Sequence, residues 1–180
     1  MYDGKTVVFF DLETKKLFRE VGGYGNERRL GMSAAVTYNT SDGEFHRYKE
    51  EDALKLVEEL KGADLVVGFN VIKFDYAVLQ AYTDFPLRSI PTLDMLEEIY
   101  RRIGIRIKLD ALAHATLGTG KSANGVLAVE WYRKGLIEKV LDYCQQDVDV
   151  TKRLYEYGKR FKHLKYKDRY GRLKLVPVSW

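Results

Sequence analysis

Two carboxylates lie one residue apart in the segment FFDLET at residues 9–14, directly after an apolar run. Because side chains alternate along a β-strand, Asp11 and Glu13 are expected on one face and Leu12 on the other. Carboxylates that share a face repel each other, so one must take up a proton or a cation must lie nearby. Oxygen-rich sites of this kind suit magnesium or manganese. Taken alone, the pair is also compatible with a turn or a helix cap at Asp11.

A second group of polar residues occurs in the segment GFNVIKFD at residues 68–75. This segment leaves a predicted buried strand, passes through a turn and enters a predicted helix, and α/β folds bind ligands at the carboxyl ends of strands. Two simpler roles remain open, because Asp75 could complement the helix dipole and Asn70 could close the turn. The segment therefore indicates a site only in combination with other motifs.

A third candidate pair, Tyr143 and Asp147, is spaced four residues apart on a long predicted helix and so shares one helix face. Surface aspartates on helices commonly have a basic partner three or four positions onward. Asp149 has two such partners, whereas Asp147 has a valine and a threonine at those positions. The pattern predicts a surface ion pair for Asp149 and a functional role for Asp147.

In combination, the segments F-D-x-E-T, N-x-x-x-F-D and Y-x-x-x-D follow one another in this order over about 140 residues. They resemble the three exonuclease motifs of the DEDD superfamily. Histidine-subclass members carry a histidine five residues before the last aspartate, where this chain has Asp142, and Tyr143 stands at the tyrosine-subclass (DEDDy) position. The segments GFNVIKFD and KLDALAHATLG are most similar to the proofreading exonuclease domain of family B DNA polymerases and its stand-alone relatives.

The resemblance implies a metal-dependent 3′-to-5′ exonuclease that acts on single-stranded DNA or RNA, with DNA favoured, and uses two divalent cations, Mg²⁺ or Mn²⁺. Asp11 would bridge both cations, and Glu13 and Asp147 would complete one site. Asp75 would reach the other cation largely through water. Tyr143 would orient the attacking water rather than abstract its proton, since the pKa of an unperturbed phenol is about 10.

Four further residues match family positions near the terminal nucleotides: Leu12, Thr14, Asn70 and Phe74. An aromatic side chain such as Phe74 can stack on a base without recognising its sequence, although core packing is equally compatible with this residue. Two alternatives share the fold, a non-catalytic nucleic-acid-binding module and a ribonuclease of the ribonuclease H-like superfamily. Retention of all four carboxylates argues against the first, and by resemblance Tyr143 favours terminal cleavage over the second.

The elements that must position these residues follow from hydrophobic periodicity and turn residues. Strands are predicted at 5–10, 30–40, 44–49 and 64–69, and helices at 50–61, 74–82, 95–103 and 136–161, with shorter helical pieces in ALAHATLG and GVLAVEWYRKG. A hairpin followed by strands that alternate with helices predicts an α/β fold with a mixed sheet flanked by helices. The resemblance implies a ribonuclease H-like fold. Asp94 and Glu97 together predict a capping box at the helix that begins at residue 95.

Composition favours one domain over residues 1–180, because 180 residues with 46% hydrophobic and 31% charged residues can bury a full core. No apolar run approaches the ~18 residues of a membrane span, and no signal peptide is evident, so we expect a cytoplasmic protein. Cys144 is the only cysteine, which excludes an internal disulfide and indicates a helix-packing residue. The segment GTGKS at 118–122 is not a phosphate loop, because Ala115 replaces the required glycine.

Positive charge is concentrated in a basic C-terminal segment at 158–180. Between residues 158 and 174 there are eight basic residues and one acidic residue, so this stretch carries +7 of a chain whose net charge is +4. It is a candidate contact for a nucleic-acid backbone, and a solvated helix end with a hairpin is an equally open interpretation. A separate polymerase, helicase or repair protein could deliver the substrate.

Overall fold

A computed structural model of the chain describes residues 2–119 and 125–180. The main sheet has the order β3-β2-β1-β4-β5. Its strands are β1 (Val7–Thr14), β2 (Met32–Asn39), β3 (Glu44–Lys49), β4 (Leu65–Gly68) and β5 (Thr92–Asp94). The helices are α1 (Phe18–Val21), α2 (Ala53–Lys61), α3 (Asp75–Leu79), α4 (Met95–Ile103), α5 (Leu109–Leu117), α6 (Gly125–Arg133) and α7 (Ile137–Phe161).

The sheet is mixed, as the sequence predicts. β1 pairs antiparallel with β2, and β2 with β3, whereas β1, β4 and β5 run parallel. Parallel strands end at the same edge of a sheet, so the segments that follow β1, β4 and β5 meet there. This topology, with helices on both faces, confirms the predicted α/β fold class.

Alternation along β1 distributes its side chains between two apolar layers. Phe9 packs in a cluster with α4 to α7, and Phe10 packs in the opposite cluster with α2 and α3. Leu12 lies in the Phe10 layer, so the carboxylates of Asp11 and Glu13 must face α7. Both faces are buried, which is why β1 begins as an uninterrupted apolar run.

Several elements differ from the predictions, most clearly β1, β5 and α3. β1 spans Val7–Thr14 rather than the predicted 5–10, because β2 continues to pair with it as far as Met32. Both carboxylates therefore lie within the strand, as their predicted alternation requires. β5 was not predicted, since three residues are too few to give a periodic pattern. α3 spans Asp75–Leu79, a shorter helix than the predicted 74–82.

The predicted capping box at α4 is half formed. The Asp94 carboxylate accepts the backbone N–H groups of Leu96 and Glu97, as an N-cap should. The Glu97 carboxylate instead forms a salt bridge with Lys73, with an N–O distance of 2.6 Å. Glu97 therefore connects α4 to the loop that follows β4.

The basic C-terminal segment folds as the end of α7 and a separate hairpin, β6 (His163–Lys167) and β7 (Leu173–Pro177). Its buried residues Leu164 and Val176 pack against the same apolar layer as α5 and α7. Trp180 stacks on Tyr155, with ring centroids 6.4 Å apart. The segment is thus a packed part of the molecule.

Among the residues that the structure describes, no helix is both long enough and apolar enough to cross a membrane. The segment GTGKS at 118–122, which the sequence rules out as a phosphate loop, lies partly outside the described residues, at 120–122.

Candidate active site

Three carboxylates converge where α7 crosses the face of β1. Asp11, Glu13 and Asp147 each offer an oxygen atom, and these atoms lie within 4.8 Å of one another. Strand alternation brings the first two to one face, and α7 supplies the third. Cys144, one helical turn before Asp147, donates a hydrogen bond from Sγ to the backbone oxygen of Asp11 at 3.2 Å. This contact fixes α7 against the strand that carries the other two carboxylates.

Asp75 approaches the cluster from the edge where β4 ends. β1 pairs with β4 only as far as Phe9, so the N–H of Leu12 lies beyond the last β4 partner. The Asp75 carboxylate accepts that N–H at 2.9 Å. Only 2% of Asp75 is exposed, so its carboxylate has little contact with solvent. The hydrogen bond from Leu12 therefore helps to hold the carboxylate beside β1.

The turn that brings Asp75 into position requires a glycine at its start. A Cβ atom on Gly68 would lie 2.7 Å from the Val71 side chain and 3.1 Å from the backbone oxygen of Phe10. Asn70, two residues after Gly68, has a φ of 67°, a left-handed conformation that asparagine tolerates better than most residues. The local sequence therefore matches the backbone that the turn needs.

Burial and mutual repulsion weaken the acidity of the cluster. Burial and the negative charges of Asp75, Glu13 and Asp147 raise the pKa of Asp11 well above its usual value. The pKa of Glu13 is raised by burial and by Asp147 and Asp75. Burial also raises the pKa of Asp75 to about 8, against the opposing effect of its hydrogen bond to Leu12. A divalent cation would compensate these charges, and carboxylate oxygens are the ligands that Mg²⁺ and Mn²⁺ prefer.

Tyr143 lies on the same side of α7 as Asp147. Its pKa is raised first by burial, then by the charges of Asp147, Glu13 and Asp11 and by a hydrogen bond to Asp147. Its ring contacts Trp131 edge to face, with centroids 6.2 Å apart. The phenol therefore stays protonated at neutral pH and can serve as a hydrogen-bond donor beside the carboxylates.

A cavity of about 330 Å³ opens beside the carboxylates. Three of the four predicted substrate contacts, Leu12, Thr14 and Phe74, line it together with Asp11 and Glu13. It is also lined by residues that the motifs did not indicate: Lys16, Leu17, Phe18, Leu30, Gly125 and Val126. The cavity joins the carboxylates to an apolar and aromatic wall.

The fourth predicted substrate contact, Asn70, has other partners. Its side-chain oxygen accepts a hydrogen bond from Arg106 at 2.8 Å, and its backbone N–H bonds to Asp94 at 2.9 Å. Asn70 is not among the described residues that line the cavity. The structure therefore associates it with the loop around Arg106 rather than with the cavity wall.

An aromatic series leads from the cavity to the surface. The Phe18 ring lies 5.9 Å from Phe74, and Tyr24 lies 4.2 Å from Phe18. Tyr24 is 86% exposed. The sequence motifs do not include this series, although an aromatic residue among glycines at 22–25 is a signal that could have suggested it.

Two other sequence predictions have clear outcomes. Asp149 forms a salt bridge with Arg153 at 3.7 Å, which confirms its surface ion pair. Cys144 is buried in the apolar layer, as predicted for a packing residue, but its contact with Asp11 was not foreseen. A cysteine in a helix gives no sequence signal for such a contact, because its partner is 133 positions away.

Comparisons with known proteins agree with this architecture. The model of one protein family, described as the RNase_H superfamily, matches residues 8–158. The fold is similar to that of the family B DNA polymerase from the hyperthermophilic archaeon Pyrobaculum calidifontis, with a TM-score of 0.65 and 18% sequence identity. That similarity covers 87% of this chain but only 25% of the polymerase, so it demonstrates a shared fold alone. The comparison with curated proteins found no match. The chain belongs to the RNase_H superfamily.

Proposed function

We propose that this protein is a 3′-to-5′ exonuclease of the tyrosine subclass that hydrolyses single-stranded nucleic acid, with DNA favoured over RNA. Membership of the RNase_H superfamily and the carboxylate cluster support a nuclease. The observation that carries the proposal is the convergence of Asp11, Glu13 and Asp147 within 4.8 Å beside a cavity. Asp75 and Tyr143 complete the set that the motifs predict.

Asp11, Glu13, Asp147 and Asp75 would hold two divalent cations, Mg²⁺ or Mn²⁺. Bound there, the cations would neutralise charge on the scissile phosphate and favour formation of the nucleophile at neutral pH. The chain itself supplies the oxygen ligands on three elements, β1, α3 and α7. Because Cys144 fixes α7 to β1 and Leu12 holds Asp75, the four carboxylates keep their relative positions without a substrate.

Tyr143 acts as a positioning donor. Its protonated hydroxyl is hydrogen-bonded to Asp147 in this structure. With cations on the carboxylates, the single O–H donor would turn from Asp147 to the attacking water or to a phosphate oxygen. It cannot serve as a general base, since its pKa is raised rather than lowered. This chemistry needs a phenol that remains neutral, and the surrounding carboxylates keep it so.

The cavity provides a place for the terminal nucleotide. Leu12 and Phe74 offer apolar and aromatic surface to a base or sugar, and Phe18 extends that surface. Aromatic faces bind bases with little dependence on sequence, which suits an enzyme that removes successive nucleotides. Binding of an unpaired end beside the carboxylates favours terminal over internal cleavage.

Degradation of an oligonucleotide labelled at its 5′ end tests the proposal. We expect a ladder that shortens from the 3′ end with Mg²⁺ or Mn²⁺ and that EDTA abolishes. Asp147→Asn should lower the rate by at least about 10²-fold, because it removes one ligand of the cluster. Asp149→Asn, two residues away on the same helix, is the matched control and should retain activity.

Four other outcomes would refute specific parts of the proposal. Internal fragments without a ladder would indicate an endonuclease, and cleavage confined to RNA would indicate a ribonuclease. An intact label in every metal, with binding preserved in EDTA, would indicate a non-catalytic binding module. Equal activity of the Asp147→Asn and Asp149→Asn variants would exclude the carboxylate cluster as the active site.

A further inference from the structure

A second depression lies outside the candidate active site, between the loop at 104–108 and the turn of the C-terminal hairpin. Its volume is about 400 Å³. The described residues that line it are Ile105, Ile107, Tyr166, Lys167, Asp168, Arg169 and Tyr170. None of them lines the cavity beside the carboxylates. We call residues 104–108 and 166–172 together the hairpin-tip surface.

The two parts of the hairpin-tip surface are held in a fixed relation. Ile107 and Tyr166 pack against the same apolar layer. The Thr116 hydroxyl of α5 bonds to both the backbone oxygen and the backbone N–H of Lys165, each at 2.9 Å. These bonds tie the hairpin to α5, the helix that follows the loop. The surface is therefore preformed.

The hairpin-tip surface carries an excess of positive charge. Arg106, Lys108, Lys167 and Arg169 are exposed, and none forms a salt bridge with another residue that the structure describes. The acidic residue in the depression, Asp168, is already engaged. Its carboxylate binds the Arg172 guanidinium at 2.9 Å and accepts the N–H groups of the turn. The surface is thus complementary to a polyanion.

Flat and apolar groups lie among these cations. Tyr170 is 64% exposed, and the guanidinium carbons of Arg169 and Arg172 lie 4.7 and 4.9 Å from its ring centroid. Ile105, beside them, is 50% exposed. Aromatic rings and guanidinium planes stack on unpaired bases, which a duplex does not offer. An acidic peptide would use the charges but not the stacking planes, so single-stranded nucleic acid fits better.

A hydrogen bond links the hairpin-tip surface to the candidate active site. Arg106 donates to the side chain of Asn70 at 2.8 Å. Asn70 belongs to the turn that carries Phe74, which lines the cavity, and Asp75. The surface is therefore continuous with the turn that forms one wall of the site.

We propose that the hairpin-tip surface binds the unpaired strand upstream of the nucleotide being removed. The inference rests on the proposed exonuclease function and assigns a substrate contact that the three motifs do not contain. Its consequence is a dependence on substrate length. A strand long enough to reach both the cavity and the surface should bind more tightly than one that fills the cavity alone.

The test compares single-stranded DNA of about 4 and about 15 nucleotides, a range that spans typical single-strand site sizes. Fluorescence anisotropy with EDTA measures binding without turnover, and degradation with Mg²⁺ measures kcat/KM. We expect Tyr170→Ala to weaken binding of the longer strand about tenfold, the scale of one lost stacking contact. Arg169→Ala should also reduce the slope of log K against log salt concentration by about 1, the contribution of one phosphate contact.

Arg88→Ala is the matched control, since Arg88 is an exposed arginine beside Leu87, which belongs to the opposite apolar layer. It should bind both strands as the wild type does, and circular dichroism should establish that all variants are folded. Equal binding of the longer strand by wild type and Tyr170→Ala would refute the proposed role of the hairpin-tip surface in strand binding, even if the protein is an active exonuclease. If Tyr170→Ala binds the longer strand more weakly but the wild type shows no turnover, the proposed exonuclease function is refuted and the hairpin-tip surface is still supported as a binding site. An acidic peptide that competes as well as the oligonucleotide would also contradict the inference.

Discussion

Asp11 and Glu13 illustrate what the sequence can predict at the scale of a residue. Strand alternation alone predicts that both carboxylates share a face, and the structure brings them together with Asp147. The position of Asp75 could not be predicted in the same way. It depends on where β4 stops pairing with β1, which leaves the N–H of Leu12 for a side chain from another element.

Tyr143→Phe should lower kcat about 10²-fold and leave KM nearly unchanged, because it removes one hydrogen-bond donor from the site and keeps the ring against Trp131. Steady-state kinetics on a 5′-labelled strand measure both constants. The shape of the pH–rate profile should not change, since the phenol does not titrate near neutral pH. A loss of an acidic or basic limb in the variant would show that Tyr143 transfers a proton.

The raised pKa of Asp75 predicts how stability depends on pH in EDTA. The pKa of an aspartate in an unfolded chain is about 4, whereas that of folded Asp75 is about 8. The folded state therefore holds the proton more tightly, and this stabilisation is complete below about pH 4 and lost as pH rises through about 8. We expect the thermal midpoint to fall between about pH 5 and about pH 8, and Asp75→Asn to flatten the decline. A midpoint that rises over this interval would contradict the predicted direction.

At the scale of elements, the segment that connects β4 to α3 depends on an acceptor that lies far from it in sequence. The Asp94 carboxylate accepts the N–H groups of Asn70 and Ile72 at 2.9 and 3.1 Å, in addition to capping α4. The local sequence, with Asp94 three residues before Glu97, predicted the cap. It could not predict the bonds to the turn, because β5 aligns beside β4 only in the folded sheet.

Asp94→Asn should loosen this turn, because one carboxylate oxygen becomes an N–H₂ group that cannot accept the N–H of Ile72. We expect a destabilisation of about 1–3 kcal/mol, with faster hydrogen exchange at Ile72 and a raised KM. Asp64→Asn is the control, since Asp64 accepts the N–H of Thr6 before β4 begins. If exchange at Ile72 is equally slow in both variants, Asp94 does not hold the turn.

At the scale of the whole molecule, the C terminus is integrated into the body by contacts that composition did not reveal. The sequence shows that residues 158–180 are basic, and a helix end followed by a hairpin was one of two interpretations. The structure contains that helix end and that hairpin. Trp180 covers Gly158 on α7 and donates a hydrogen bond to the backbone of Tyr155 at 3.1 Å.

The effect of Gly158→Ala on the free energy of unfolding should change sign when Trp180 is removed. A Cβ atom at this position would lie 2.7 Å from the Trp180 ring, so the substitution should cost about 1–3 kcal/mol in the wild type. In a Trp180→Ala background the same change should stabilise α7 by about 1 kcal/mol, because alanine favours helix. Chemical denaturation of the four proteins measures this cycle. The same sign in both backgrounds would mean that Trp180 does not pack on α7.

The fold as a whole was predictable because its signals are local, namely the apolar run in β1, a hairpin turn and helical periodicity in α7. The proposed nuclease activity depends on the binding of metal ions by the carboxylate cluster. Titration with Mn²⁺, followed by electron paramagnetic resonance of the free ion, measures it without substrate. We predict about two ions per wild-type chain, a loss of binding in Asp11→Asn, and wild-type binding in Asp149→Asn. Wild-type binding by Asp11→Asn would contradict the assignment of the carboxylate cluster as the metal site.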